Sequence, residues 1–325
     1  MPASTSVPFL RLAFGALTAA LLAVSAAAQD FPARPITIIV PQPVGSASDN
    51  VTRPIAQAMS QTLGQPVVVE NRPGAAGMIG MGQAAKAKAD GYTLVVISNT
   101  TMAANPSMFK KLPYDAEKDY APIALMGRTS MMYVVRPDFR ADSVEALAAE
   151  AKRRGVPLTA GYGSSTAQVA LNMLTTATGI SATPVPYQGT PKLVIDLLGG
   201  NVDLAVVDVG AGVVQARTGK VKPLAIVASR RLETSGNVPA MAEKYPGVHL
   251  DAWIALAAPA GTPEAIILKI NAAVNAAASR ANVRQAFAGV AIDLATSTPR
   301  ELNEMIKADQ QKWPGLIRAA GIQPE

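Results

Sequence analysis

The chain carries very few side chains suited to covalent chemistry. Its one histidine, His249, stands two residues before Asp251 in Gly247-Val248-His249-Leu250-Asp251, and no cysteine occurs. A hydrolase needs a nucleophile, a base and an acid to orient the base, and His249 is the sole candidate for the base. A polar surface loop explains the His249–Asp251 pair more economically than catalysis does. The absence of cysteine excludes a disulfide framework, a thiolate metal site and a Cys nucleophile. A single histidine excludes a multi-His metal site, so neither metal nor cofactor is expected. Gly80-Met81-Gly82-Gln83-Ala84-Ala85 nominally fits G-x-G-x-x-A. It does not directly follow a strand, however, and Thr100 stands about 20 residues on, where a dinucleotide site places an acid.

Other loops are suited to holding a ligand without reacting with it. Residues 41–49, 98–101, 161–166 and 187–190 are rich in Gly, Ser, Thr or Pro and poor in Lys and Arg. Where such loops follow strands and open helices, free N–H groups and hydroxyls bind an anion with no fixed positive charge. Each loop taken singly also reads as an ordinary cap or turn. Ser46-x-x-Asp49 is a legitimate capping box, and Asn71 in Val69-Glu70-Asn71-Arg72 reads as a turn residue.

The elements that must position these loops follow from periodicity. Ile36–Val40 is a β-branched run stopped by Pro41 and Pro43. Val51, Ile55, Met59 and Leu63 recur at helical spacing and stop at Gly64. With strands at 67–69 and 92–97 and a small-residue helix between them, the order is β-α-β-α-β, which predicts a mostly parallel sheet covered by helices. A second round follows: strands at 123–126 and 132–135, a helix at 144–154, a strand at 158–160, a helix at 168–178, a strand at 183–186, a helix at 191–198 and strands at 202–207 and 222–228. A strand at 253–258 and helices at 263–278 and 299–320 complete the chain. The pattern predicts two lobes, 29–127 with 225–325 and an inserted 128–224.

With 325 residues, 49% hydrophobic and 16% charged, the composition is globular and long enough for two cores. The net charge of +6 is dispersed, with no basic stripe and no aromatic interleaving, so no nucleic-acid partner is expected. Residues 12–28 are apolar or small, follow Arg11 and end in Ser25-Ala26-Ala27-Ala28. This is the pattern of a signal peptide, residues 1–28, cleaved after Ala28 and directing the protein to the periplasm.

Seven stretches are similar to one known family. They are RPITIIVPQPVGSASD at 34–49, LGQPVVVENRPGAAGMIG at 63–80, DGYTL at 90–94, LPYDAEKDYAPIALM at 112–126, PYQGTPKLVIDLLGGNVDLA at 186–205, KPLAIVASRR at 222–231 and WIALAAPAGTP at 253–263. In this order they resemble the Bug-type periplasmic substrate-binding proteins of the tripartite tricarboxylate transporter system. The resemblance implies a type II periplasmic binding protein fold, two α/β lobes joined by crossing strands with a ligand cleft between them. It implies a small organic acid or amino acid as ligand, membrane permease subunits as partners, a monomer and no enzymatic activity. Asp49, Gly163, Thr166 and Tyr187 match family positions and carry over as pocket residues. Ser46, Tyr162 and Ser165 line the same loops with different chemistry, and Asp208 lies one residue past a common family aspartate. Pro43, Gly45, Ser98, Thr100 and Gly161 complete the candidate set from the same loops. Two departures concern the ligand: the usual aromatic-Pro-Pro-Gly-Gly is Gln42-Pro43-Val44-Gly45-Ser46 here, and Val169 stands where the family has a histidine. Asp49 and Thr166 are expected to face each other across the cleft. Capture for a permease leads; a sensor subunit signalling to a membrane kinase and a secreted hydrolase are the alternatives.

Overall fold

The computed structural model describes residues 31–324. The expected leader, 1–28, and its cleavage site lie outside the described residues. The strands are β1 (Ile36–Val40), β2 (Val67–Asn71), β3 (Thr93–Ser98), β4 (Tyr120–Thr129), β5 (Met131–Val135), β6 (Leu158–Tyr162), β7 (Ala182–Pro186), β8 (Leu204–Asp208), β9 (Lys222–Ile226), β10 (Ala252–Pro259) and β11 (Asp293–Leu294). The helices are α1 (Ala47–Leu63), α2 (Met78–Ala85), α3 (Asn105–Met108), α4 (Val144–Arg154), α5 (Ser165–Thr178), α6 (Thr190–Leu198), α7 (Val209–Arg217), α8 (Glu264–Ala278), α9 (Ala281–Gly289) and α10 (Pro299–Ala319).

Two sheets form, ordered β11-β4-β10-β3-β1-β2 and β7-β6-β8-β5-β9. Both bury apolar side chains on both faces, as sheets sandwiched by helices do. On β5 the period of two is visible directly. Met131, Tyr133 and Val135 enter one core with Leu158, Leu174 and Leu204, while Met132 and Val134 enter the opposite one with Leu193 and Leu197. In the first sheet Ile36 and Ile38 pack on Val51 and Ile55 of α1 and on α8. Helix α10 serves both lobes: Leu302 and Ile306 join a core of the first sheet, Trp313 and Ile317 one of the second.

The three strands of the β-α-β-α-β run pair parallel as expected, β1 with both β2 and β3. The sheet as a whole is mixed, because β10 runs antiparallel between β3 and β4 where the chain re-enters from the other lobe. Helix α5 begins at Ser165, three residues before the expected start, because Ser164 Oγ accepts the Ala167 N–H at 3.1 Å and caps it there. Helices α7 and α9 and the short β11 have no counterpart in the expected elements.

The chain passes between sheets at Ser130, directly between β4 and β5, and returns through Val227 and Leu250 before β10. These points are tied together. Ser130 Oγ donates to Val227 O at 2.8 Å and to Leu250 O at 3.2 Å, and Leu250 N donates to Val227 O. The boundaries 127/128 and 224/225 drawn from sequence fall inside β4 and β9.

Candidate ligand-binding site

The loops named from sequence do follow strand ends and open helices. After β1, Pro41 and Pro43 stop the strand, and Ser46 caps α1 by accepting the Asp49 N–H at 3.3 Å. Gly45 takes φ +80°, a conformation that L side chains rarely adopt. The Asp49 carboxylate turns back on this loop. Its Oδ2 accepts from Gly45 N at 2.9 Å and Arg53 Nε at 3.0 Å, and its Oδ1 accepts from Asn71 Nδ2 at 2.9 Å. Burial alone would raise the Asp49 carboxyl, but the hydrogen bonds from Arg53, Gly45 and Asn71 outweigh it and hold it below its ordinary value. Asn71 is therefore the end of β2 and a fastener of this loop, since its Nδ2 also donates to Gln42 O.

The second loop leaves β3 for a π-helical turn, Thr100–Ala104. Asn99, buried, accepts Trp253 N with Oδ1 at 3.2 Å and donates from Nδ2 to Thr166 Oγ1 at 2.7 Å. Thr100 Oγ1 lies 2.7 Å from the same Thr166 Oγ1. Nearby, Ser165 Oγ donates to Asn105 Oδ1 at 2.7 Å. These contacts join the first residues of α5, in the second lobe, to the first lobe, so the structure is of a closed arrangement.

The third and fourth loops touch each other. A Cβ on Gly163 would lie 2.7 Å from Gly189 C, so two bare backbones meet here. Thr190, opening α6, donates from Oγ1 to Asp208 Oδ2 at 3.1 Å. Asp208 itself sits at the N-terminus of α7. Burial pushes its carboxyl up, and the hydrogen bonds from Thr190 and its own N–H only partly oppose this.

Between the lobes lies a narrow cleft with a cavity volume of about 70 Å³. Of the candidates, Pro43, Ser46, Ser98, Thr100, Gly163, Thr166 and Asp208 line it. The others lie elsewhere. Asp49 sits behind the first loop, and Gly45 faces a separate surface groove with Val44, Pro191 and Ile195. Gly161 lies beneath Leu193, and Tyr162 packs on a core of the second lobe. Ser165 is committed to Asn105. Tyr187 lines an adjoining chamber with Gln42 and the 74–77 turn. Asn99, Ser48, Thr190, Met131 and Trp253 line the cleft without having been singled out. Asn99 and Thr190 fall inside flagged loops and could have been found there; Met131 and Trp253 belong to apolar strands that carry no such signal. Among the described residues, no Lys, Arg, His or Glu lines the cleft, and no group of three or more His, Cys, Asp or Glu is placed to hold a metal.

Two α/β lobes joined by crossing segments, with helix N-termini at the rim of the cleft between them, define a periplasmic-type solute-binding protein. The chain belongs to the tripartite tricarboxylate transporter receptor family, whose model matches residues 51–322. It is 35% identical over 304 residues to Protein BugT of Bordetella pertussis, covering 92% of this chain and 93% of that one. An R. palustris protein solved with adipate superposes with a TM-score of 0.87 at 28% identity, over 91% of this chain and 100% of that one. MatC from Rhodopseudomonas palustris, solved with bound malate, superposes with a TM-score of 0.82 at 31% identity, over 88% and 100%. The family and the two-lobed fold expected from the sequence are both borne out.

Proposed function

We propose that this protein captures a small organic carboxylate outside the cytoplasm and delivers it to the membrane permease of a tripartite transporter. One observation carries the reading. Helices α1, α5, α6 and α7 all begin at the cleft, each beside residues that line it, and no fixed positive charge competes with their N–H groups. Such N-termini favour an anion, and each charge-assisted hydrogen bond contributes about 1.5–3 kcal/mol. The adipate and malate held by two relatives support the same ligand chemistry.

On this reading residues 1–28 are a signal peptide removed after Ala28, and the mature monomer begins at Gln29 in the periplasm. Its lobes, near 29–127 with 225–325 and 128–224, close as bodies about the Ser130 crossing. Pro43, Ser46, Ser98, Thr100, Gly163, Thr166 and Asp208 form the pocket, the protein is not an enzyme, and it needs neither cofactor nor nucleic acid. No helix among the described residues is long and apolar enough to cross a membrane. A thermal-shift screen of mono-, di- and tricarboxylates, aromatic acids and amino acids tests the reading. Ligand at about 100 times its Kd adds about 2.7 kcal/mol to stability. A folded protein unmoved by every carboxylate at millimolar concentration refutes it. Mass spectrometry of the exported protein checks Gln29, and loss of uptake on deleting a co-encoded permease checks the partner.

A further inference from the structure

The cleft wall contains, besides its donors, two acceptors with few donors of their own. Asp208 is its one ionisable side chain, and the only side-chain partner of that carboxylate among the described residues is Thr190, on Oδ2. Gln42, also on the wall, has a buried amide oxygen that accepts no hydrogen bond. A ligand that is only an anion satisfies the helix N-termini and brings neither acceptor a further donor. It also brings its negative charge into the same small space as Asp208.

We propose that the ligand is an amino acid whose carboxylate is held by the helix N-termini and whose ammonium group is held by Asp208, making Asp208 the residue that separates amino acids from plain acids of the same shape. The inference rests on the carboxylate reading above and narrows it.

The chemistry follows from the surroundings of Asp208. The Thr190 hydroxyl donates to Oδ2 and so fixes the carboxyl group, leaving Oδ1 as the oxygen with no side-chain donor. An ammonium group there forms a charge-assisted hydrogen bond where burial otherwise penalises the carboxylate. Among the described residues, no charged side chain takes that place. The 41–48 loop and β5 bring none. Helix α6 brings Lys192, exposed to solvent, and Asp196, which acts on Tyr187. The segment after α9, whose Val290 O lies against Gly210, brings Asp293, which faces Arg230 and Glu233. None of these acts on Asp208. Because burial raises the Asp208 carboxyl, an ammonium ligand drives its proton off and binds more tightly as pH rises through its titration. A plain acid, repelled by the same carboxylate, binds less tightly over the same span.

Titration calorimetry on the mature protein and on Asp208→Asn decides the matter, with L-aspartate and succinate, L-glutamate and glutarate, and L-alanine and propionate as matched pairs. In at least one pair the amino acid should bind at least about tenfold more tightly than its partner. Asp208→Asn should abolish that preference, leave the plain acid's affinity no weaker, and keep the melting transition cooperative. Equal affinities within every pair that binds, or a preference that survives Asp208→Asn, overturn the inference and leave the carboxylate reading standing. If no member of any pair binds, the inference falls. The carboxylate reading then falls with it only if the wider acid panel is also silent.

Discussion

Asp49 and Asp208 occupy equivalent electrostatic positions and do opposite things. Each lies at the positive end of a helix, Asp49 in the first turn of α1 and Asp208, the last residue of β8, at the head of α7. The helix field favours both as carboxylates. Asp49, however, accepts from Gly45, Arg53 and Asn71, whereas Asp208 has only Thr190 and its own N–H. The Asp49 carboxyl is accordingly held low and the Asp208 carboxyl pushed up. Position at a helix terminus does not separate a fastener from a reader; the number of donors already engaged does.

The largest effect should come from cutting the fastener. Asp49→Ala leaves Gly45 N and one Asn71 amide hydrogen without their acceptor and frees the 41–49 loop. We expect a loss of about 2–4 kcal/mol, a fall of several degrees in Tm at about 2–4 °C per kcal/mol. Asp49→Asn retains one amide oxygen and should lose less. The Asp49 carboxyl is depressed, so its contribution is present above the unfolded value, about 3.9, and is lost as pH falls through the lower folded value. Wild type should therefore show a steeper acid limb than Asp49→Asn. An unchanged Tm in Asp49→Ala would place this residue with Asp208 after all.

Next in size is the contact between the third and fourth loops. Gly163→Ala drives a Cβ to 2.7 Å from Gly189 C, a clash with backbone that no side-chain rotation relieves. The loops must part, at about 1–3 kcal/mol, and the cleft wall shifts with them. Both Tm and ligand affinity should fall. Thr166→Val is smaller and more selective. It removes the hydroxyl shared by Asn99 and Thr100 across the lobes while leaving the core of α5 intact. Closure is weakened, so affinity should drop about tenfold, equivalent to about 1.4 kcal/mol, with only a small change in Tm. If Thr166→Val binds as wild type does, the interlobe bonds do not bias closure.

Much of this arrangement is legible in the sequence. The caps and loop glycines are local chemistry: Ser46 and Gly45 announce the start of α1, and Gly64 at φ 70° its end. What could not be read depends on residues distant in the chain. Asp49 reads as a pocket residue because its loop does, but beside the local donors Gly45 and Arg53 it is tied away by Asn71, 22 residues on. Trp253 sits in an apolar strand, and only the antiparallel entry of β10 beside β3 brings its N–H to Asn99. That entry depends on where the chain crosses between sheets. Ser130, Val227 and Leu250 set the crossing together, although no one of them is distinctive in sequence.

The smallest effect is the most diagnostic of the contrast, because its sign changes with conditions. The folded Asp208 carboxyl titrates above the unfolded value of about 3.9. Between those values the unfolded chain holds fewer protons than the native one, so wild-type stability falls as pH rises across that window and then levels off. Asp208→Asn has no such titration, and its amide oxygen still accepts from Thr190. Without ligand the variant should match wild type near pH 4 and become the more stable of the two, with the higher Tm, as pH rises. Saturating amino acid should reverse the order, because only wild type turns its penalised carboxylate into half of an ion pair. A Tm difference that stays constant from pH 4 to pH 8 would mean that Asp208, like Asp49, already has the donors it needs.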